Sequence, residues 1–328
     1  MPRVLRAAVV IAIVLASVGA PASAAATGAG WHVTQTLLKV VRFADPNVGW
    51  AAGGKSAVLG TRDGGSHWTR QRLGLRGGPV SFRSVATVGV DRCWLLGGAS
   101  LYRTVNGGST WKRSGVGPRP IRRGDTWDFM DFATSRAGWV VSGRGDIVKT
   151  GNGGASWVRQ RRSAAGRGSV AAISVVSSRV AFAAFNGPRR HCLLATRDGR
   201  HWHAVGPAGP GISTSPLAGV SAESAYTAWV STRAGEVFVT LDGGTTWTQI
   251  NDKPPVGPGT LKARAMDACG NTVCVVGGDA SAQGAAILAP NGVRAWRWLS
   301  IGATPAPAPA TFTSVDFVTP TIDRKSVV

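Results

Sequence analysis

The sequence predicts an all-β protein, a β-propeller of four-stranded blades, from three observations. A turn-and-tryptophan box returns six times, the copies are almost evenly spaced, and the apolar runs between them are of strand length without a helical period. The boxes are TRDGGSHW with Asp63 and Trp68, TVNGGSTW with Asn106 and Trp111, TGNGGASW with Asn152 and Trp157, TRDGRHW with Asp198 and Trp202, TLDGGTTW with Asp242 and Trp247, and APNGVRAW with Asn291 and Trp296. Successive box tryptophans lie 43, 46, 45, 45 and 49 residues apart. Four short strands and their turns need a period of that size.

Each box is preceded by an apolar strand, a polar turn, a second apolar strand and a Gly-rich break, as in the run from Phe43 (FADPNVGWAAGG) or from Trp127 (WDFMDFATSRAGWVVSG). A third strand, for example 57–61 or 146–150, ends at the box, and the fourth is expected to start at the box tryptophan. Within the box, Asp or Asn accepts hydrogen bonds from the backbone ahead, and the glycines allow positive φ, so the sequence pins a hairpin between strands three and four. Of 13 tryptophans, six hold the box position; Trp50, Trp94, Trp139 and Trp229 hold a second-strand position, with Phe182 and Cys274 as substitutes. So regular a distribution points to packing between blades rather than to a sugar-stacking platform. Trp127 and Trp298 remain as candidate exposed contacts, with the core as the preferred reading.

The ends divide the chain. Residues 1–24 read as a signal peptide, with Arg3 and Arg6 ahead of an apolar run and Ala22-Ser23-Ala24 as the cleavage site after Ala24; a retained anchor is the alternative. The protein is therefore expected outside the cytoplasm, with the propeller over 25–321. Thr311 to Thr321 copies a first strand and Trp31 to Thr36 copies a fourth, so a partial seventh blade shared by both ends should close a seven-bladed ring. The middle of that blade is missing: residues 322–328 (IDRKSVV) are atypical, which suggests a reading frame truncated or shifted near residue 321.

The net charge is +21, or about +19 once the two leader arginines are removed, and Glu223 and Glu236 are the only glutamates. This balance favours an acidic protein or an anionic envelope component, such as a wall polymer or lipid headgroups, over nucleic acid, although a GC-rich coding bias would give the same composition. The arginines gather in loops that share one propeller face: Arg70, Arg72, Arg76, Arg119, Arg122, Arg123, Arg161, Arg162 and Arg167 between blades, and Arg144, Arg189 and Arg190 between second and third strands. They form the candidate partner-binding face, with bidentate donors for carboxylates or phosphates. Cys269 and Cys274 bracket a turn and form a candidate disulfide, while Cys93 and Cys192 read as small core residues. No metal or cofactor is expected, and His201 and His203 lack a third ligand. A monomer is expected.

The combined Gly-Trp-x-x-Gly and Thr-x-Asp-Gly-Gly-x-x-Trp pattern looks like the Asp-box, or BNR, repeat. Over nearly the whole mature chain it resembles the photosystem II stability and assembly factor family of seven-bladed propellers. The resemblance implies a non-catalytic scaffold that holds a membrane-protein assembly intermediate on a basic surface. Two boxes depart from the pattern: box four is one residue short, and box six lacks its Thr and second Gly. Asp-boxes also occur in sialidases, which need a tyrosine nucleophile, a partner glutamate and an arginine triad. Tyr102 and Tyr226 are not placed to face a central channel, so a glycosidase is a minor alternative and a glycan- or wall-polymer-binding module the main one.

Overall fold

The computed structural model describes residues 10–17, 38–75, 78–117, 125–162, 168–187, 191–205, 215–250, 261–269, 272–278, 284–289, 297–298 and 310–318. Strand β1 (Val10–Ser17) comes first. Blade one is β2 (Leu38–Phe43), β3 (Gly49–Gly53), β4 (Val58–Thr61) and β5 (Thr69–Arg70). Blade two is β6 (Ser84–Val88), β7 (Arg92–Gly97), β8 (Ser100–Thr104) and β9 (Lys112–Gly115). Blade three is β10 (Trp127–Phe132), β11 (Gly138–Ser142), β12 (Ile147–Thr150) and β13 (Val158–Arg161). Blade four is β14 (Ser169–Val175), β15 (Ala181–Asn186), β16 (His191–Thr196) and β17 (His203–Val205). Blade five is β18 (Leu217–Ala222), β19 (Ala228–Thr232), β20 (Val237–Thr240) and β21 (Thr248–Gln249). Blade six is β22 (Lys262–Cys269), β23 (Thr272–Gly278), β24 (Gly284–Ala289) and β25 (Arg297–Trp298), and β26 (Ala310–Val318) ends the described chain.

Each blade is an antiparallel sheet in strand order one to four, and the fold is the all-β propeller that the repeat implies. The first strands follow one another in a closed cycle, β2 to β6, β10, β14, β18, β22, β26 and back to β2. The seventh position thus holds a sheet of two described strands, β26 and β1. The first strand expected near 311–321 is present, and β1, from the expected leader, pairs with it. Trp31 to Thr36, the expected fourth strand, and the tail 322–328 lie outside the described residues. The fourth strands begin one residue after the box tryptophan, because that ring turns back onto the box glycines; the Trp68 indole lies beside the space above Gly65.

Second-strand aromatics form the core between blades. Trp50, Trp94, Trp139, Phe182 and Trp229 are all buried, as is Cys274 at the same position. Each packs with residues of the following blade: Trp94 stacks on Phe132 at 4.1 Å between centroids, and the box indole of Trp157 meets the edge of that ring at 6.4 Å. Trp127 is fully buried, in line with the core reading, and Trp298 has no described side chain.

A polar girdle lines the first strands. At the position opposite the second-strand aromatic stand Arg42, Asp131, Ser174, Ser221 and Asp267, with Asp316 at the matching place in β26 and Ala86 in blade two. Their side chains tie neighbouring blades. The Asp316 carboxylate accepts from the Phe43 amide at 2.7 Å, Asp131 from the Val175 amide at 2.9 Å and Ser174 from the Ala222 amide at 3.0 Å. Arg42 bridges Asp316 at 2.9 Å, and that carboxylate, ahead of Asp131 and Asp267, raises the guanidinium pKa further. Across the ring closure the buried Asp316 carboxylate is therefore paired with a guanidinium.

One expectation is corrected. Cys274 carries a free, buried thiol that burial pushes up to about 12. Cys269 lies opposite Thr272 and Cys274 opposite Asp267, so the two cysteines are staggered by two pairs along the hairpin, with Ala268 opposite Val273 in between. Diagonal neighbours stand roughly 7–8 Å apart, too far for the roughly 3.8 Å Cβ separation of a disulfide. Cys93 is buried in the core, while Cys192 is half-buried beside Phe185.

Candidate functional site

The two ends of the ring are built by different turns. At one rim boxes one, two, three and five pack against the turn between first and second strands: the box amides of Gly64, Gly107, Gly153 and Gly243 donate to Asn47, Asp91, Arg136 and Tyr226 carbonyls. At the other, which we call the loop face, second-to-third-strand turns bond to the loops between blades, as in Ser56 N to Val80 O, Gly143 N to Thr126 O and Ala263 N to Arg233 O.

The box chemistry is structural and its hub is the threonine. In box two, the buried Thr104 hydroxyl donates to Asn106 Oδ1 and accepts from the Gly108 amide, both at 2.9 Å, while Asn106 Oδ1 also accepts from the Thr110 amide at 2.9 Å. Boxes one, three and five repeat this set, with both glycines at positive φ, for example +72° and +92° at Gly64 and Gly65. Box four, one residue short, has a single such glycine, and Thr196 accepts directly from Gly199 at 3.0 Å. Backbone donation at His67 holds the Asp63 pKa down to about 2; Asp198 and Asp242 are also held well below the usual carboxylate range, by the His201 amide and the Thr246 hydroxyl respectively. Asn291 and Trp296 of box six lie outside the described residues.

The box rim also holds four cations that sequence reasoning missed. Arg62 Nη2 donates to Gly107 O at 3.0 Å, Arg103 Nη1 to Gly153 O at 3.1 Å, Lys149 Nζ to Gly199 O at 2.9 Å and Arg197 Nη2 to Gly243 O at 3.0 Å. Each carbonyl belongs to the first glycine of the next box, so the cations clamp blade to blade around the rim. Lys149 also lies over the Trp139 ring at 4.6 Å, and burial lowers its pKa. Beside it, Gln160 Oε1 accepts from both Trp139 Nε1 at 2.8 Å and Trp202 Nε1 at 2.9 Å. A basic residue flanking the box threonine, before it in boxes two and three and after it in boxes one and four, is the signal that could have revealed the clamp.

On the loop face, Arg70, Arg72, Arg144 and Arg162 are exposed. Arg144 and Arg162 make no hydrogen bond or ion pair among the described residues, and they flank the turn where blade three meets blade four. Arg161, between them in the candidate set, is part of the scaffold: Nη1 donates to Gly145 O at 2.8 Å, the guanidinium lies 5.3 Å from the Phe185 ring centre, and burial lowers its pKa. Lys55 and Arg233, also in second-to-third-strand turns, are exposed on the same face and were missed. An acidic interruption lies between the two basic stretches: Arg83 bridges Asp128 at 3.1 Å, and burial raises the Asp128 pKa. Arg76, Arg119, Arg122, Arg123, Arg167, Arg189 and Arg190 lie outside the described residues.

Among the described residues neither catalytic alternative finds an assembled site. Tyr102 is buried against Phe82, 5.6 Å between centroids, and Tyr226 is exposed on the box rim. His201 pairs with its own box, Nδ1 lying 2.6 Å from Asp198 Oδ2, and among the described residues no three His, Cys, Asp or Glu side chains gather to hold a metal ion.

Comparison with known proteins agrees with this architecture. The family model described as photosynthesis system II assembly factor YCF48 matches residues 28–120 and 123–284. The photosystem II assembly protein Ycf48 of Synechococcus sp. (strain JA-2-3B'a(2-13)) is 25% identical over 305 residues, which cover 88% of this chain and 82% of that protein. Among solved structures, YCF48 bound to D1 peptide is similar at 18% identity and a TM-score of 0.63, covering 87% of this chain and 91% of that one. The GH74 enzyme of Niastella koreensis shares the fold at 19% identity and a TM-score of 0.60, covering 80% of this chain and 46% of that one. With a family model spanning most of its length, the chain belongs to the photosystem II assembly factor family of YCF48.

Proposed function

We propose that this protein is an exported, non-enzymatic scaffold that assists assembly or stability of a membrane or envelope protein, and that it holds an acidic segment of that partner on its loop face. Family membership supports the assembly role, and a relative of the same fold is known bound to a peptide, the kind of extended ligand that a ring of loops can hold. The observation that carries the site is a contrast in the use of cations: Arg144 and Arg162 are exposed and uncommitted among the described residues, whereas Arg62, Arg103, Lys149 and Arg197 beside the box threonines are held by neighbouring carbonyls. Guanidinium groups free of internal partners keep both donor edges for carboxylates.

The test is charge reversal at Arg122, Arg123, Arg144 and Arg162, leaving Arg161 in place because it supports the Gly145 turn. Partner capture from a membrane fraction, run at two salt concentrations, should fall by about tenfold or more for the variant, and the parent should hold its partner at moderate salt. Unchanged capture would remove the site. Displacement of the parent from its ligand by a simple polyanion would favour a wall-polymer-binding module, and turnover of a glycoside would favour an enzyme.

A further inference from the structure

The seventh sheet is made differently from the other six. β26 is fixed in the ring: Asp316 holds the Phe43 amide and Arg42, and Val315 and Asp316 are buried. Its outer edge is paired with β1, from Val10 opposite Val318 to Ser17 opposite Ala310. The register shifts once, between Val14 and Leu15, which leaves Thr313 without an opposite residue.

The same irregularity falls three residues before the girdle position in five other blades. It leaves out Lys39 in blade one, Asp128 in three, Ala171 in four, Ala218 in five and Arg264 in six. β1 therefore reproduces the second-strand register of a blade although it lacks the Gly-Trp signature and comes from the segment that reads as an export leader. The ring fixes the edge of β26, and what that edge selects is an uncharged strand, VIAIVLAS, through a backbone ladder.

We propose that the outer edge of β26 is a strand-acceptor site, filled in the full-length chain by Val10–Ser17 of the leader and open to an extended apolar segment of a partner polypeptide once that leader strand is cleaved off or withdrawn. An unpaired β26 edge would expose a row of amides and carbonyls, which drives capture of another strand. The eight uncharged residues of the resident strand define the chemistry of its replacement: the apolar flank of a membrane polypeptide rather than the acidic segment assigned to the loop face. The choice of a membrane polypeptide rests on the scaffold reading above; the acceptor edge itself does not.

The experiment uses the unprocessed full chain, residues 1–328 with the leader retained, carrying Ile13→Pro and Val14→Pro, adjacent prolines that remove an amide of either orientation from β1. Amide exchange in β26 should quicken by about tenfold or more relative to the parent, and a peptide VIAIVLAS with terminal lysines should restore protection, whereas its proline counterpart should not. Equal protection of β26 in parent and variant, or a peptide without effect on the variant, overturns the proposal. Dimers of the variant that block the peptide would show that a second copy is the occupant and overturn the partner assignment. If the prolines unfold the ring, the pairs Ile13→Cys with Val315→Cys and Val14→Cys with Ser314→Cys, placed in the otherwise intact chain, decide. One of these opposed pairs should oxidise to a disulfide, and failure of both overturns the site. Reversing Arg144 and Arg162 should leave peptide restoration unchanged, so failure of the loop-face reading and of the strand-acceptor reading are separable.

Discussion

On the box rim, Arg62, Arg103, Lys149 and Arg197 each reach a glycine carbonyl of the next box, whereas on the loop face Arg144 and Arg162 stand exposed beside a turn. Both sets contribute to the same net charge, so charge alone does not locate a binding surface. The difference lies in geometry. Boxes two to five each present the first glycine carbonyl to the preceding blade, so a cation next to that blade's box threonine finds an internal partner. The loops between blades vary in length and sequence, and the described cations Arg72 and Arg162 there are exposed.

Substitutions that separate the two regions differ in size. The largest effect is expected from Trp139→Ala, which empties a fully buried site and removes one of the two indole donors to Gln160; unfolding free energy should fall by about 3–5 kcal/mol. Thr104→Val keeps the shape of the box hub but leaves the Gly108 amide without its acceptor and removes one of the two donors to Asn106 Oδ1, which should cost about 1–3 kcal/mol in denaturant titrations. Arg103→Met should cost about 1 kcal/mol, because Gly153 O keeps its bond from Trp94 Nε1 at 3.1 Å. Arg144→Glu should change stability by no more than about 0.5 kcal/mol. A loop-face substitution as costly as the clamp would erase the distinction.

Acid sharpens the comparison within the box rim itself. Asp63 is held down to about 2 in the fold against an ordinary value near 4, so its contribution is complete above about pH 4 and disappears as pH falls through about 2. Asn106 and Asn152 do not titrate. Amide exchange at Gly65 and His67 should therefore rise between about pH 4 and 2 relative to the acid-independent trend, while Gly108 and Thr110 should follow that trend throughout; Asp63→Asn should make the first box behave like the second.

Most of the fold was legible because the repeat writes each constraint six times. The box residues, the second-strand aromatics and the closing first strand near residue 311 all follow from in-phase copies. Interactions between blades were less legible. The girdle of Arg42, Asp131 and Asp316 joins residues far apart in the chain, and its side-chain types change from blade to blade while the position stays fixed. Arg161 looked like a binding arginine in sequence, yet its guanidinium is held by the Gly145 carbonyl and Phe185, a fact that depends on how two blades approach. The disulfide between Cys269 and Cys274 failed on register, since a turn two residues tighter than their spacing puts Thr272 opposite Cys269.

The most direct test compares reversal of two exposed arginines on each end of the ring, Arg144→Glu with Arg162→Glu on the loop face and Arg136→Glu with Arg200→Glu on the box rim, by partner capture at moderate salt. Both variants change the net charge equally and should fold like the parent. The account predicts that the loop-face pair loses capture by about tenfold or more and the box-rim pair by less than about twofold. Equal losses from the two pairs would show that total charge governs binding, and a larger loss from the box-rim pair would move the partner to the opposite end of the propeller.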